Sequence, residues 1–86
     1  MNVRIPSPLR SYTAQATRVE AAGSTVDEVL LDLDRQFPGL RFRVVDEQGR
    51  LRQHMRVFVN EEMARDLATP IVGSDELTIV QALSGG

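Results

Sequence analysis

The sequence ends in Gly85-Gly86, directly after the run Leu77-Thr78-Ile79-Val80-Gln81-Ala82-Leu83, which reads as a buried strand leading to a free carboxylate. A diglycine end carries no Cβ, so it takes backbone angles other residues avoid and threads a narrow tunnel in which another protein's active site reaches the carboxyl group. The chemistry such a terminus supports is activation of the Gly86 carboxylate. Ser84 and the two glycines would form the flexible finger that carries it. The competing reading is a frayed end without a role, since terminal residues are commonly held loosely, or a domain cut from a longer chain.

The side chains offer little other chemistry. His54 stands beside Met55 with no second ligand at a metal-like spacing, so it reads as a surface histidine and no metal site is expected. Asp32 and Asp34, two apart on a helix, face different directions and make no acid-base pair. Ser24-Thr25 has no nearby base and reads as a helix cap. The chain has no cysteine, which excludes disulfides, zinc-thiolate sites, thiol nucleophiles and sulfur carriage on a side chain. No catalytic residue is expected.

Composition bounds the partners. A chain of 86 residues makes one small domain that buries only about 60 to 65% of its unfolded surface, with little room for an enclosed catalytic pocket. The net charge is −2, with acids and arginines interspersed, and no basic stripe argues for nucleic acid. The ten basic residues are all arginine. Apart from the N-terminal amine, the chain therefore carries no aliphatic amine that an activated terminus could acylate. The apolar runs are far short of a membrane span, and Met1-Asn2-Val3-Arg4-Ile5 lacks the layout of a signal peptide, so a cytoplasmic protein is expected.

The elements that must position the terminus can be read from periodicity. Val3 and Ile5 alternate with Asn2 and Arg4 in a first strand of about five residues, ended by Pro6-Ser7-Pro8. Arg18-Val19-Glu20-Ala21 is a second strand, pairing with the first in an opening hairpin across a long connection. Val26, Val29, Leu30, Leu33 and Phe37 mark one helical face. Thr25 and Glu28 make a capping box, with Ser24 as a competing cap, and Pro38-Gly39 stops the helix. The charges Asp27, Asp32, Asp34 and Arg35 read as a solvated face. Residues 40–53 read as a loop with one small hairpin turning at Asp46-Glu47-Gln48-Gly49. Met55-Arg56-Val57-Phe58-Val59-Asn60 is a strand, Glu61-Glu62 a turn, and Gly73-Ser74-Asp75 a turn before the last strand. This order predicts an α+β fold in which one main helix covers one face of a mixed sheet, with the first and last strands parallel at its centre. Residues 1–83 form the expected domain and 84–86 its tail. The expected core is Val3, Ile5, Val19, Val26, Val29, Leu30, Leu33, Phe37, Val57, Val59, Leu67, Ile71, Leu77 and Ile79.

In this order the chain resembles the MoaD/ThiS family of ubiquitin-like, β-grasp sulfur carrier proteins. The resemblance lies in the opening Val3-Arg4-Ile5-Pro6-Ser7-Pro8-Leu9-Arg10, in Thr25-Val26 through Phe37-Pro38-Gly39-Leu40, and in the terminal Gly85-Gly86. Asp46-Glu47-Gln48-Gly49-Arg50-Leu51, Val57-Phe58-Val59-Asn60-Glu61-Glu62 and Leu67-Ala68-Thr69-Pro70-Ile71 look closest to its cysteine-synthesis branch. Ser74-Asp75 stands where the family often has Gly-Asp, and Gln81-Ala82-Leu83-Ser84 replaces its common proline- and alanine-containing tail.

The resemblance implies a protein co-substrate and not an enzyme, with no cofactor of its own. A MoeB/ThiF-like activating enzyme would use ATP and Mg to adenylate Gly86, and a sulfur donor would convert the adenylate to a thiocarboxylate. The acceptor would be a sulfur-accepting enzyme, either a PLP-dependent cysteine synthase, followed by a metalloprotease that releases cysteine, or the large subunit of molybdopterin synthase. A covalent protein modifier and a non-covalent β-grasp binding module are the alternatives. If Val57, Val59, Leu77 and Ile79 point inward, the pleat sends Phe58, Thr78 and Val80 to the opposite face. An exposed Phe58 with Val80, Thr78 and Leu83 is the expected docking patch, and Ser84 and Gly85 thread the tail.

Overall fold

Thr25 starts the main helix as its spacing predicts. Its extended backbone and its Oγ1, which accepts from the Glu28 N–H at 3.2 Å, cap the helix over Val26–Gln36. The Glu28 carboxylate reaches one residue further back than a capping box requires and accepts from the Ser24 N–H and hydroxyl at 2.8 and 2.9 Å. Both candidate caps are therefore used, one for the helix and one for the carboxylate that helps to start it.

A computed structural model describes residues 1–82. The elements are β1 (Asn2–Arg4), a 3-10 turn (Ser7–Thr13), β2 (Arg18–Glu20), α1 (Val26–Gln36), α2 (Leu40–Val44), β3 (Met55–Val59), β4 (Glu62–Met63) and β5 (Glu76–Gln81). The sheet order is β2-β1-β5-β3-β4. β1 and β5 are parallel neighbours, and the other pairings are antiparallel. The expected central parallel pair is present, and α1 supplies part of the crossover it needs.

The α1 stripe Val26, Val29, Leu30 and Leu33 is fully buried in one core with Val3, Val57 and Leu77. Each such side chain contributes about 1.5 to 3 kcal/mol, a large share of what holds a domain of this size together. Val19, Phe37, Val59 and Leu67, expected inside, are only partly buried and pack on the core's margin, while Leu9, Leu40, Val44, Val45 and Met55 are buried within it.

Three stretches differ from the sequence expectation. The first strand spans three residues, and Ile5 continues the hairpin through one bond to the Thr17 carbonyl. The long connection closes with the 3-10 turn, whose Leu9 is buried. Residues 40–44, read as loop, form α2, because Leu40 and Val44 bury one side of a single turn. Asp34, read as solvated, starts that turn by accepting from the Gly39 and Arg41 N–H groups at 3.1 and 3.2 Å. Gly39 takes φ +96° there, and a Cβ would lie 3.3 Å from the Tyr12 ring, so glycine suits both the angle and the space. Asp27 pairs with Arg41 at 2.6 Å, and Asp32 accepts from the Ala22 N–H at 3.0 Å. The helix charges thus hold neighbouring segments. The expected small hairpin reduces to one bridge, Val45 to Leu51, around a turn organised by Asp46. Finally, Asn60 at φ 56° turns the chain into β4 where only a turn was read.

Candidate docking face and tail root

β5 delivers the chain toward its terminus from the centre of the sheet. It is bonded to β1 through Thr78 and to β3 through Gln81, and the Ala82 N–H then donates to the His54 carbonyl at 2.8 Å. A strand held on both sides fixes the place at which Ala82 leaves the sheet. Leu83, an expected docking residue, and Ser84, Gly85 and Gly86, the expected tail and activation site, lie outside the described residues.

The register settles which side chains share the face away from α1. Val57 opposes Ile79 and both are buried, so Phe58 opposite Thr78 and Arg56 opposite Val80 lie on the other face. The same row runs from Met63 through Phe58 and Thr78 to Arg4 and Arg18. Three of the expected docking residues, Phe58, Thr78 and Val80, therefore come together. Phe58 is half-buried, not exposed as expected, because β4 sets Met63 directly across from it. Met63 itself is 55% exposed and becomes the outermost apolar member of the patch. Sequence reading missed it. The signal was Asn60-Glu61 between Val59 and Glu62-Met63, since asparagine accepts the left-handed angle that a tight hairpin needs.

At the start of β5, Asn60 ties the β3–β4 turn to the strand. Its Oδ1 accepts from the Glu76 N–H at 2.9 Å, and its Nδ2 donates to Asp75 at 3.0 Å. The Val72 N–H and then Asn60 hold the Asp75 carboxyl below its usual range. Asn2 donates to Glu76 across the parallel pair at 2.8 Å. His54 is exposed, and among the described residues no group of His, Cys, Asp and Glu could hold a metal. Among them, too, no helix is long and apolar enough to cross a membrane.

Comparison with known proteins gives a consistent picture. Residues 3–86 match the model of the ThiS family. The sulfur carrier protein CysO of Mycobacterium tuberculosis is 35% identical over 91 positions, which cover 100% of this chain and 98% of that protein. A chain of the Amycolatopsis orientalis BexX/CysO complex superposes with a TM-score of 0.91 at 35% identity, covering 99% of this chain and 98% of that one. SAMP1 of Haloferax volcanii superposes with a TM-score of 0.78 at 31% identity, over 100% and 98%.

Proposed function

Because the chain belongs to the ThiS family, we propose that it is a sulfur carrier protein whose Gly86 carboxylate is activated by a partner and converted to a thiocarboxylate. The carboxylate oxygen attacks the α-phosphorus of ATP, forming the acyl-adenylate and releasing pyrophosphate. Hydrosulfide then attacks the carbonyl carbon, AMP leaves with the original oxygen, and the terminus carries C(=O)S⁻. The chain supplies no catalytic group; the activating enzyme uses ATP and Mg and supplies the catalytic groups. The observation that carries this reading is the full-length match to a sulfur carrier, running through Gly86.

Cysteine biosynthesis is the preferred destination, since relatives 35% identical over the whole chain are CysO proteins. On that reading the partners are a MoeB/ThiF-like activating enzyme, a PLP-dependent cysteine synthase and a metalloprotease. Phe58, Thr78, Val80 and Leu83, extended by Met63, form the docking face, and Ser84 and Gly85 lead Gly86 into the partner. The likeness to SAMP1, named as a small archaeal modifier protein, favours a second reading in which the same activated Gly86 acylates lysines of other proteins.

The deciding measurement is the intact mass after incubation with ATP, Mg, the host's activating enzyme and a sulfide source. The carrier reading requires a gain equal to one oxygen replaced by sulfur, localised to Gly86 and absent without ATP. An unchanged mass, with the enzyme active on another carrier, would refute it. Adducts bearing Gly86 on lysines of other host proteins would establish the modifier reading.

A further inference from the structure

We propose that Arg43, Arg52 and Arg56 form a basic collar around the root of the tail, which docks against an acidic rim at the mouth of the partner cleft that receives it. The proposal rests on the carrier reading, in which the tail enters a partner, and adds the chemistry by which that partner is recognised.

The placement comes from three elements. Arg43 of α2, Arg52, His54 and the last β5 residue, Gln81, line one depression with Phe42. Arg56 stands across the ladder from Val80. Two of the guanidinium groups are already oriented. Arg52 lies over the Phe42 ring, 4.5 Å from its centroid, and its Nε donates to the Phe42 carbonyl at 2.7 Å, which leaves the terminal nitrogens free to face a partner. Arg56 donates from one nitrogen to the Gln53 and Met55 carbonyls, both at 2.8 Å. A planar fork held in this way loses less freedom when it meets a carboxylate, and it matches one in a bidentate arrangement.

Their charge is not consumed within the domain. Arg35 and Arg41 each meet an aspartate at 2.6 Å, whereas among the described residues no carboxylate lies within 4.0 Å of Arg43, Arg52 or Arg56. Asp46, on which Arg50 and Arg52 act, is bound by the Gln48 and Arg50 N–H groups of its own turn. The acids gather at the other end of β5, where Asp75, Glu76, Glu61 and Glu62 surround Asn60. Five steps along a strand span about 16 Å, roughly two Debye lengths at physiological salt, so the acidic end does little to cancel the collar. A chain of net charge −2 is thus polarised, positive where the tail leaves. The collar also borders the apolar strip of Phe58 and Val80 through the Arg56–Val80 pair. A partner seated on that strip brings its own surface over the arginines. An acidic protein rim fits this continuity better than a nucleotide polyphosphate, which would need no apolar neighbour.

The test measures adenylation of Gly86 by the host's activating enzyme, varying carrier and ATP separately at about 50 and about 500 mM salt. The variants are Arg43→Glu alone, whose side chain is exposed, and the Arg43→Glu/Arg56→Glu pair, each checked by thermal melting. For the wild type, the KM for carrier should rise about tenfold with salt. In the pair it should be raised about ten- to thirtyfold at low salt, with kcat unchanged and the salt dependence largely lost. A KM for carrier within twofold of wild type in both variants, or a rise in the KM for ATP instead, would overturn the collar and leave the carrier reading standing. Failure of the wild type itself to be adenylated would bring down the carrier reading, and the collar with it.

Discussion

Replacing Phe58 by alanine separates docking from folding, because the half-buried ring serves both. An aromatic side chain offers about 200 Å² in all. With Met63 and Thr78 on either side in the sheet, roughly a quarter of that area remains for a partner, or about 50 Å². At about 25 cal/mol per Å², covering it contributes about 1.2 kcal/mol, so Phe58→Ala should raise the KM for carrier about eightfold. The area already covered belongs to the fold. Its loss should cost about 2 kcal/mol, less than for a fully buried phenylalanine, and lower the melting temperature by roughly 10 °C. The assay is steady-state adenylation of Gly86 well below the variant's melting temperature, with carrier varied. Because the lost contact is apolar, the eightfold effect should persist at high salt, where the effect of changing Arg43 fades. Phe58→Leu should restore most of both quantities. A variant that melts about 10 °C lower but keeps the wild-type KM would show that Phe58 serves the fold alone and that the docking face lies elsewhere.

Two further predictions concern the scaffold. A Cβ on Gly23 would lie 2.7 Å from the Glu28 Cβ and from the Val29 backbone nitrogen, so Gly23→Ala must shift the first turn of α1; a loss of about 1 to 3 kcal/mol is expected in a denaturant titration, and a neutral result would mean that the segment before the helix moves freely. Acid should destabilise the domain through carboxylates that are hydrogen-bonded in their charged form. Ser24 N–H lowers Glu28, the Arg35 side chain lowers Asp32, Arg50 N–H lowers Asp46 and Val72 N–H lowers Asp75. With folded pKa values below the unfolded ones, their stabilisation is complete above the ordinary carboxylate range and disappears as pH falls through the folded values. The melting temperature should therefore be flat near neutrality and drop below about pH 4, and Asp75→Ala should make the drop shallower; an unchanged profile would remove Asp75 from that account.

How far the sequence speaks depends on where an element's stabilising contacts lie. The α1 stripe, its Thr25 cap and the alternation in β3 and β5 are dense local patterns, so the main helix, the inward faces of the two long strands and hence the outward side of Phe58, Thr78 and Val80 follow from spacing alone. Gly85-Gly86 is legible in the same way, as a chemical property of residues without side chains. α2 and β4 are too short to carry a period. α2 forms because Asp34 caps it from the end of α1 and Asp27 holds its Arg41, and β4 forms because Asn60 turns the chain and binds Glu76, which is remote in sequence. Those two elements alter the site. β4 covers part of Phe58 and adds Met63, and α2 places Arg43 beside Arg52, His54 and Gln81 at the root of the tail. Residue types and periodicity determined the helix, the long strands and the chemistry open to the terminus. Tertiary contacts alone decided which short segments became ordered, and therefore what surface surrounds the tail, because short segments gain too little from their own hydrogen bonds to offset the entropy of ordering them.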